Sequence, residues 1–278
     1  MTVDFIYNLL NDLLPSFSGN DILLIAAMLL PFFALFGFIT VYGFGVIYAE
    51  LKVSSFIQDK TGPMGQGYGF HAGKWGFLQP VADGLHLFFK EDIIPSTADK
   101  PLFILAPFLI FIGMFVGIIA IPFGEAIIIT DMNIGIFYIL GIGSLAVIAL
   151  ILAGWSSNNK WALYGGMRSA AQIISYEIPA GLSLIVVILL ASSLSMQEII
   201  SYQSGGMFNW IIFDNPFMPI AFIIFFISAL AETNRTPFDI PEAESELVAG
   251  WMTEFSGFKW SIFFMSEYAN MLIVSIVA

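Results

Sequence analysis

Six apolar runs, at 22–49, 102–123, 134–154, 171–194, 216–231 and 260–278, alternate along the chain with connections that carry its charge and much of its glycine. A helix needs about 20 apolar residues to cross a hydrocarbon core about 30 Å thick. Each run meets or approaches that length, and a backbone surrounded by lipid must pair its own polar groups, so helices are predicted for all six. The first run, as a helix rising 1.5 Å per residue, reaches roughly 42 Å, and tilt or protrusion has to absorb the excess. The fifth is the shortest and is expected to recruit residues on either side. Within the polar connection at 50–100, residues 75–89 bring Phe77, Leu78, Val81, Leu85, Phe88 and Phe89 near one face, with Asp83 and Lys90 elsewhere. That pattern predicts an amphipathic helix lying in the membrane interface, its start limited by Pro80. The fold expected is an all-α polytopic membrane protein, one integral membrane domain over 1–278 with about six transmembrane helices and an interfacial helix.

Composition agrees: 58% of the residues are hydrophobic and 11% charged, against about 25% charged in soluble domains. The net charge of −12 argues against nucleic acid or anionic lipid as partners recruited by bulk charge. The chain has no cysteine, so it holds no Cys-ligated iron–sulfur cluster and no disulfide. Two histidines, His71 and His86, are too few for an expected metal site. The first run lacks a basic leader and is longer than the apolar core of a signal peptide, so it is read as a retained helix. The glycine-rich piece at 65–76 resembles a phosphate loop only superficially. Tyr68 stands five positions before Gly73-Lys74, and Trp75 follows where Ser or Thr is required.

Charge then sets orientation. Every basic residue (Lys52, Lys60, Lys74, Lys90, Lys100, Lys160, Arg168, Arg235 and Lys259) lies in the first, third or fifth connection. By the positive-inside rule the connections at 50–100, 155–170 and 232–259 face inward. The N-terminus and the end of the sixth run then face outward, in what is expected to be a bacterial cytoplasmic membrane.

With that topology the acids inside the runs become informative. Glu177 follows Arg168 by nine residues, roughly 13 Å deeper along a helix, and Glu267 stands eight residues after Lys259 in the last run. A charge at a helix centre costs about 2.5–3.5 kcal/mol on insertion scales, and such residues mark proton relays and ligand sites. The competing reading is a carboxylate near the interface, paired with a neighbouring cation. Pro179 frees a carbonyl one turn before it, which a polar path could use. Gly113 and Gly117 form a GxxxG pair, a pattern common by chance in such helices.

The inward stretch at 231–247 concentrates Glu232, Asp239, Glu242, Glu244 and Glu246 around a single cation, Arg235. Thr236-Pro237-Phe238-Asp239 reads as a capping box with Pro at the first helical position, and Asp239-Ile240-Pro241-Glu242 offers a second start. If a helix follows, Glu242 and Glu246 share a face and repel. The alternative is a solvated acidic loop that favours a helix N-terminus.

Several stretches together resemble one membrane-subunit family of the proton-pumping NADH:quinone oxidoreductases (respiratory complex I), the family equivalent to mitochondrial NADH dehydrogenase subunit one. They are Phe77-Leu78-Gln79-Pro80-Val81-Ala82-Asp83-Gly84, Lys90-Glu91-Asp92, Gly154-Trp155-Ser156-Ser157-Asn158-Asn159-Lys160, residues 168–179, residues 231–250, and Ser266-Glu267-Tyr268-Ala269-Asn270. The resemblance implies a subunit that anchors the peripheral redox arm, helps wall a quinone chamber and begins the route to proton translocation. It implies Glu50, Lys60, Asp83, Tyr176 and Arg235 as quinone-chamber residues. The implied proton path holds Glu177, Glu232, Asp239, Glu242, Glu244, Glu246 and Glu267. Ubiquinone or menaquinone would be the substrate. NADH, flavin and iron–sulfur clusters would reside on partner subunits of the peripheral and membrane arms, with no cofactor bound covalently here. The sequence departs from the family where Glu50-Leu51-Lys52 replaces the usual Glu-Arg-Lys, and the family typically continues through about two further helices. Two other readings stand beside this one: the homologous membrane subunit of a ferredoxin-dependent complex or membrane-bound hydrogenase, and an independent proton-coupled transporter. The transporter reading lacks the internal repeat common in that class.

Overall fold

A computed structural model describes residues 7–8, 21–63, 75–124 and 128–278, and every regular element among the described residues is helical. The glycine-rich piece at 65–76 lies almost wholly outside them. The helices are α1 (Asp21–Ile57), α2 (Gln79–Phe89), α3 (Lys100–Ile118), α4 (Gly135–Ser156), α5 (Lys160–Ala191), α6 (Met196–Tyr202), α7 (Ile211–Asp214), α8 (Met218–Glu232), α9 (Glu244–Leu247) and α10 (Gly257–Val277). Of these, α1, α3, α4, α5 and α10 are long and apolar enough to cross a membrane. The fifth predicted span is the shorter apolar helix α8, whose 15 residues reach only about 22 Å. Pro216 precedes it, and the turn at Thr233 and Asn234 ends it, so it does not recruit the flanking residues into one helix.

The chain divides into two compact units, 1–93 with 256–269 and 94–255 with 270–278. In the first, α1 runs well past the predicted boundary at 49, through Glu50 and Lys52 to Ile57. No Gly or Pro interrupts 46–61, so polarity alone does not stop the helix; the chain turns only at Asp59, whose φ is 54°. The amphipathic helix α2 forms as predicted, with Pro80 in its first turn, where a missing N–H is one the helix leaves unpaired anyway. Its exit is tied to the start of α10. Lys259 Nζ, buried, pairs with Asp92 Oδ2 at 2.7 Å. The Ile93 N–H donates to Ser256 Oγ at 3.1 Å, and Phe88 meets Phe258 edge-on at 5.6 Å. Gly257 (φ +57°) is required here, because a Cβ would lie 2.9 Å from the Lys90 carbonyl oxygen.

In the second unit, α3, α4, α5 and α8 pack with the last turns of α10. The α4–α5 crossing is close because small residues face each other: a Cβ on Gly154 would lie 2.6 Å from the Ala162 carbonyl oxygen, and one on Gly166 2.9 Å from that of Leu150. Between α4 and α5 only 157–159 are non-helical. Asn158 adopts a positive φ of 49°, and Asn159 Oδ1 accepts the Trp161 N–H at 2.9 Å, an N-cap that starts the helix. Lys160 and Arg168 therefore ride on α5 itself rather than in a loop at 155–170, and α5 extends over 32 residues.

The acidic stretch does not form the helix predicted from the capping box at Thr236. Instead Phe238 N–H closes a turn on the Arg235 carbonyl at 2.7 Å. The second predicted start is used, but as a 3-10 turn, Ile240–Glu242, followed by the single turn α9 and another 3-10 turn, Gly250–Met252. Elements this short do not stabilise themselves; buried Leu247, Trp251 and Met252 hold them against the helices. Glu242 and Glu246 fall in separate elements, so the expected i, i+4 face does not arise. The docking depends on Gly165 of α5, where a Cβ would lie 2.6 Å from both Gly250 Cα and Trp251 N. Gly165→Ala is expected to destabilise by about 1–3 kcal/mol through overpacking. At Gly181 of the same helix an added Cβ meets nothing within 4 Å, and Gly181→Ala should be neutral or stabilising by up to about 1 kcal/mol. Thermal inactivation in detergent checks both.

Candidate functional site

In the second unit, carboxyl groups from two helices meet inside the bundle. Glu177, on α5, and Glu232, the last residue of α8, line one cavity of about 40 Å³ together with Asn270 of α10. Gly113 and Gly117, the GxxxG pair of α3, line it as well. Ser144 Oγ, on α4, lies 3.2 Å from Glu177 Oε1 and donates to it. The Asn270 side-chain amide hydrogen-bonds Glu232. A Cβ at Gly143 would stand 3.9 Å from Glu232 Oε1, an ordinary contact distance, so α4 passes beside that carboxyl. Among the described residues, Glu177 thus sits with a hydroxyl and a second acid.

The acidic stretch is tied to the same helix one turn earlier. Gln172 Nε2 donates to the Ala231 carbonyl at 2.9 Å, to Asn234 Oδ1 at 3.1 Å and to the Phe238 carbonyl at 2.8 Å. Two amide protons serve three acceptors, so one is shared. Asn234, held at a positive φ of 50°, returns a bond of 3.4 Å from Nδ2 to Ser169 Oγ. Tyr176 meets Phe238 edge-on at 5.2 Å. Further along, Arg168 Nη1 pairs with Glu246 Oε2 at 2.6 Å, both side chains about half exposed, and Asn159 Nδ2 donates to Glu254 Oε1 at 2.6 Å. Arg235 is half-buried and Asp239 exposed, while Glu242 and Glu244 are placed by their backbone, ending the 3-10 turn and opening α9.

The first unit holds a larger cavity, about 700 Å³, between α1, α2 and the start of α10. Its walls are overwhelmingly apolar, among them Phe44, Ile47, Val81, Leu85 and Phe264, with Asp83, His86 and Tyr268 as polar members. That size and lining suit a drug-sized or larger apolar ligand carrying a polar group. Tyr268 is buried and donates its hydroxyl to Glu50 Oε2 at 2.7 Å. Asp83 Oδ1 accepts from Gln79 Nε2 at 2.8 Å. Lys52, buried, caps the carbonyls of Thr61 and Pro63 at 3.2 and 3.3 Å, so this cation of the Glu50-Leu51-Lys52 motif closes the local turn. Lys60 is exposed and reaches only Gln58 Oε1, at 2.9 Å. Glu267 is half-buried on α10. Among the described residues no cluster of three or more His, Asp or Glu is arranged for a metal ion.

The structure therefore brings Glu177 to Glu232, Glu50 to the cavity residue Tyr268, and Tyr176 to the acidic stretch. It leaves Lys60 away from the cavity lining. Ser144, Gln172 and Asn270 were not among the predicted site residues. Gln172 and Asn270 lie in the stretches that carried the resemblance, and that was their one signal; a serine inside an apolar run has none. Gln172→Leu would leave the Phe238 carbonyl without this donor and the Ala231 carbonyl with the Asn234 N–H at 3.3 Å, a loss of about 1–3 kcal/mol for the unsatisfied group. Hydrogen exchange across 233–247 is expected to rise at least about tenfold, read by mass spectrometry with the surrounding helices unchanged.

Residues 29–278 match the family described as NADH dehydrogenase. The chain is 50% identical over 258 residues to the H-type subunit of NADH-quinone oxidoreductase from Chlorobaculum tepidum, covering 92% of this chain and 69% of that protein. It is 46% identical to the H-type subunit from Anaeromyxobacter dehalogenans over 94% of this chain and 62% of the relative. It is 48% identical to an H-type subunit from Geobacter sulfurreducens over 83% and 69%. The chain spans about two thirds of the length of these relatives. With its apolar helices and matches across nearly its whole length, this multi-pass integral membrane chain belongs to the NADH dehydrogenase family, among the H-type subunits of NADH-quinone oxidoreductase.

Proposed function

We propose that this chain is the membrane subunit that helps form the quinone chamber of a complex I-type NADH:quinone oxidoreductase and couples quinone reduction to proton translocation. The observation that carries the coupling role is the meeting of Glu177 and Glu232 in one enclosed cavity within a membrane bundle. Acids within a membrane bundle are costly to keep and serve proton relays by default. The names of its relatives supply the redox partners. The redox centres, flavin and iron–sulfur clusters, belong to partner subunits, consistent with a chain that has no cysteine. Other subunits of the peripheral and membrane arms are its partners, and the bacterial cytoplasmic membrane its location.

The cavity of about 700 Å³ accepts the apolar part of the quinone. Asp83 and the Tyr268–Glu50 pair give its wall the polar groups that a quinone ring or its reduced, protonated form can bond. Quinone reduction takes up protons with its electrons, and the charge that appears before they arrive is what an acid-rich segment can respond to. In this chain the responsive segment is the acidic stretch with Asp239, Glu242, Glu244 and Glu246. Gln172 fastens that stretch at Ala231, the residue before Glu232, and at Phe238. Movement of the stretch therefore shifts Glu232 relative to Glu177, five residues beyond Gln172 on α5. Proton exchange between the two carboxyls is the step this displacement gates, and Glu267 is a further carboxyl available to the path.

Glu177→Gln and Glu232→Gln keep size and polarity but remove the titrating proton. Each is expected to slow proton-coupled quinone reduction about tenfold or more, the scale on which positioned acid–base groups act. NADH:ferricyanide activity, which bypasses quinone, should be unchanged, as measured in membranes with assembly verified. Wild-type coupled turnover in both variants would reject the coupling role. Val81→Trp, which fills the larger cavity, should raise the quinone KM severalfold with little change in kcat if the pocket contributes ground-state binding. An unchanged KM for short- and long-tailed quinones would reject the cavity as part of the chamber.

A further inference from the structure

We propose that Ser144 and Asn270 are positioning residues that satisfy Glu177 and Glu232 in either protonation state, so that a proton can pass between the two carboxyls without leaving either one unbonded. This rests on the reading of the carboxyl pair as part of the proton path.

The argument starts from what a buried carboxyl requires. Ionised, it only accepts hydrogen bonds; protonated, it also has an O–H to donate. A neighbour that can only donate matches the first state and leaves the second partly unsatisfied, and unsatisfied polar groups in a dry bundle are expensive. Proton exchange between two acids therefore calls for neighbours that both donate and accept. The described residues lining the cavity include no titratable group other than Glu177 and Glu232. What stands beside them is a hydroxyl and a carboxamide, the two neutral groups with both capacities.

Ser144 has the geometry for such a switch. Its Oγ lies 3.2 Å from Glu177 Oε1, 3.1 Å from the Gly141 carbonyl oxygen and 3.3 Å from that of Leu140. One hydroxyl proton faces three acceptors and can serve only one well. With Glu177 ionised, it points at the carboxylate. With Glu177 protonated, it turns to a carbonyl of its own helix, and Oγ accepts the carboxyl proton. No heavy atom has to move. Asn270 does the same for Glu232 by presenting its NH2 to the carboxylate or its carbonyl to the carboxyl, through rotation of the amide. The cavity gives that rotation room, and the absent side chain at Gly143 keeps the α4 side of Glu232 open.

An ordinary packing role is the alternative. Serines in membrane helices often bond back to the preceding turn, and interhelical asparagines are a common adhesive. A packing role predicts lost assembly but no change in the state of the carboxyls.

The test uses the assembled complex in proteoliposomes, with Ser144→Ala and Asn270→Leu, and with Ser144→Thr and Asn270→Ser as variants that keep a donor and an acceptor. Asn270→Ala replaces leucine if leucine prevents assembly. Coupled quinone reduction is expected to fall about tenfold in the alanine and leucine variants, the scale of one lost hydrogen bond to a charged group, and to recover at least partly in threonine and serine. Redox-induced infrared difference spectra give the second readout. The carboxyl C=O band that Glu232→Gln abolishes should move to higher frequency in Asn270→Leu, as a carboxyl does on losing a hydrogen bond. Wild-type rates and an unshifted band in Ser144→Ala and Asn270→Leu, where Glu177→Gln and Glu232→Gln are slow, overturn this inference and leave the carboxyl pair standing. Threonine and serine variants as slow as alanine and leucine overturn it too. Wild-type rates in both glutamine variants overturn the underlying reading and this inference together.

Discussion

The side chain of Gln172 carries more of this architecture than its size suggests. Its carboxamide is bonded at once to the end of α8, to the left-handed Asn234 and to the turn at Phe238. The reason is a constraint that runs through the whole chain: backbone groups that leave a helix near a lipid phase find no water and must be paired by protein. Where α8 stops after only 15 residues, its last carbonyls accept the N–H groups of Thr233, Asn234 and Arg235. Gln172 adds a second donor at Ala231 from α5, and in doing so ties the end of α8, where Glu232 emerges, to that helix. Gly165, further back on α5, answers the steric half of the same problem by admitting the backbone at Gly250. Removal of either would loosen the acidic stretch without touching an acid.

This explains why a segment with almost no intrinsic helical stability is nonetheless shaped. The turn at Phe238, the 3-10 turn Ile240–Glu242 and the single turn α9 cannot nucleate alone. They are assembled from outside, by a carboxamide, by an aromatic contact between Tyr176 and Phe238 and by buried Leu247 and Trp251. The capping-box pattern at Thr236 describes a local preference, and tertiary pairing overrides it. Similar logic governs the helix ends. The apolar runs and the amphipathic pattern at 75–89 were legible because burial in lipid or at its interface acts on periodicity and hydrophobicity directly, and Pro80 marked its limit through a covalent property. The continuation of α1 through Glu50 and Lys52 was not legible, because hydropathy reports the membrane boundary while helix termination depends on breakers and caps. For α5 the run of apolar residues drew attention to 171, and the cap at Asn159 that starts the helix went unread.

The candidate site divides along the same line. Glu177 stood out because a carboxyl inside an apolar run has a cost that the sequence alone reveals, and Glu232 only as a member of the acidic stretch. That they share a cavity was not legible, since it depends on where α8 ends relative to α5. Ser144 and Gly143 carry no sequence signal at all: their importance is positional, set by the rotation of α4. Asn270 was visible only as part of a longer resembling stretch. The role of Lys52 was not legible either: its ammonium is committed to the carbonyls of Thr61 and Pro63, a turn that charge alone does not reveal.

The acids of the second unit thus fall into two physical classes, and the difference lies in their partners. Glu246 has a guanidinium, and Glu254 a carboxamide that donates. An exposed pair such as Arg168–Glu246 contributes about 0–1 kcal/mol to stability, but it favours one charge state and so suits anchoring better than proton exchange. Glu177 and Glu232 have instead a hydroxyl, a carboxamide and each other. A cation in either place would give a stronger bond and a worse relay, because the proton would have to be driven onto a carboxylate whose counter-charge opposes it. In the proton-path reading proposed above, neutral partners give up some binding energy and favour neither charge state as strongly as a cation would. In a bundle that must pair every buried polar group, that balance can be reached only with side chains that donate and accept alike, and α4 and α10 supply one each.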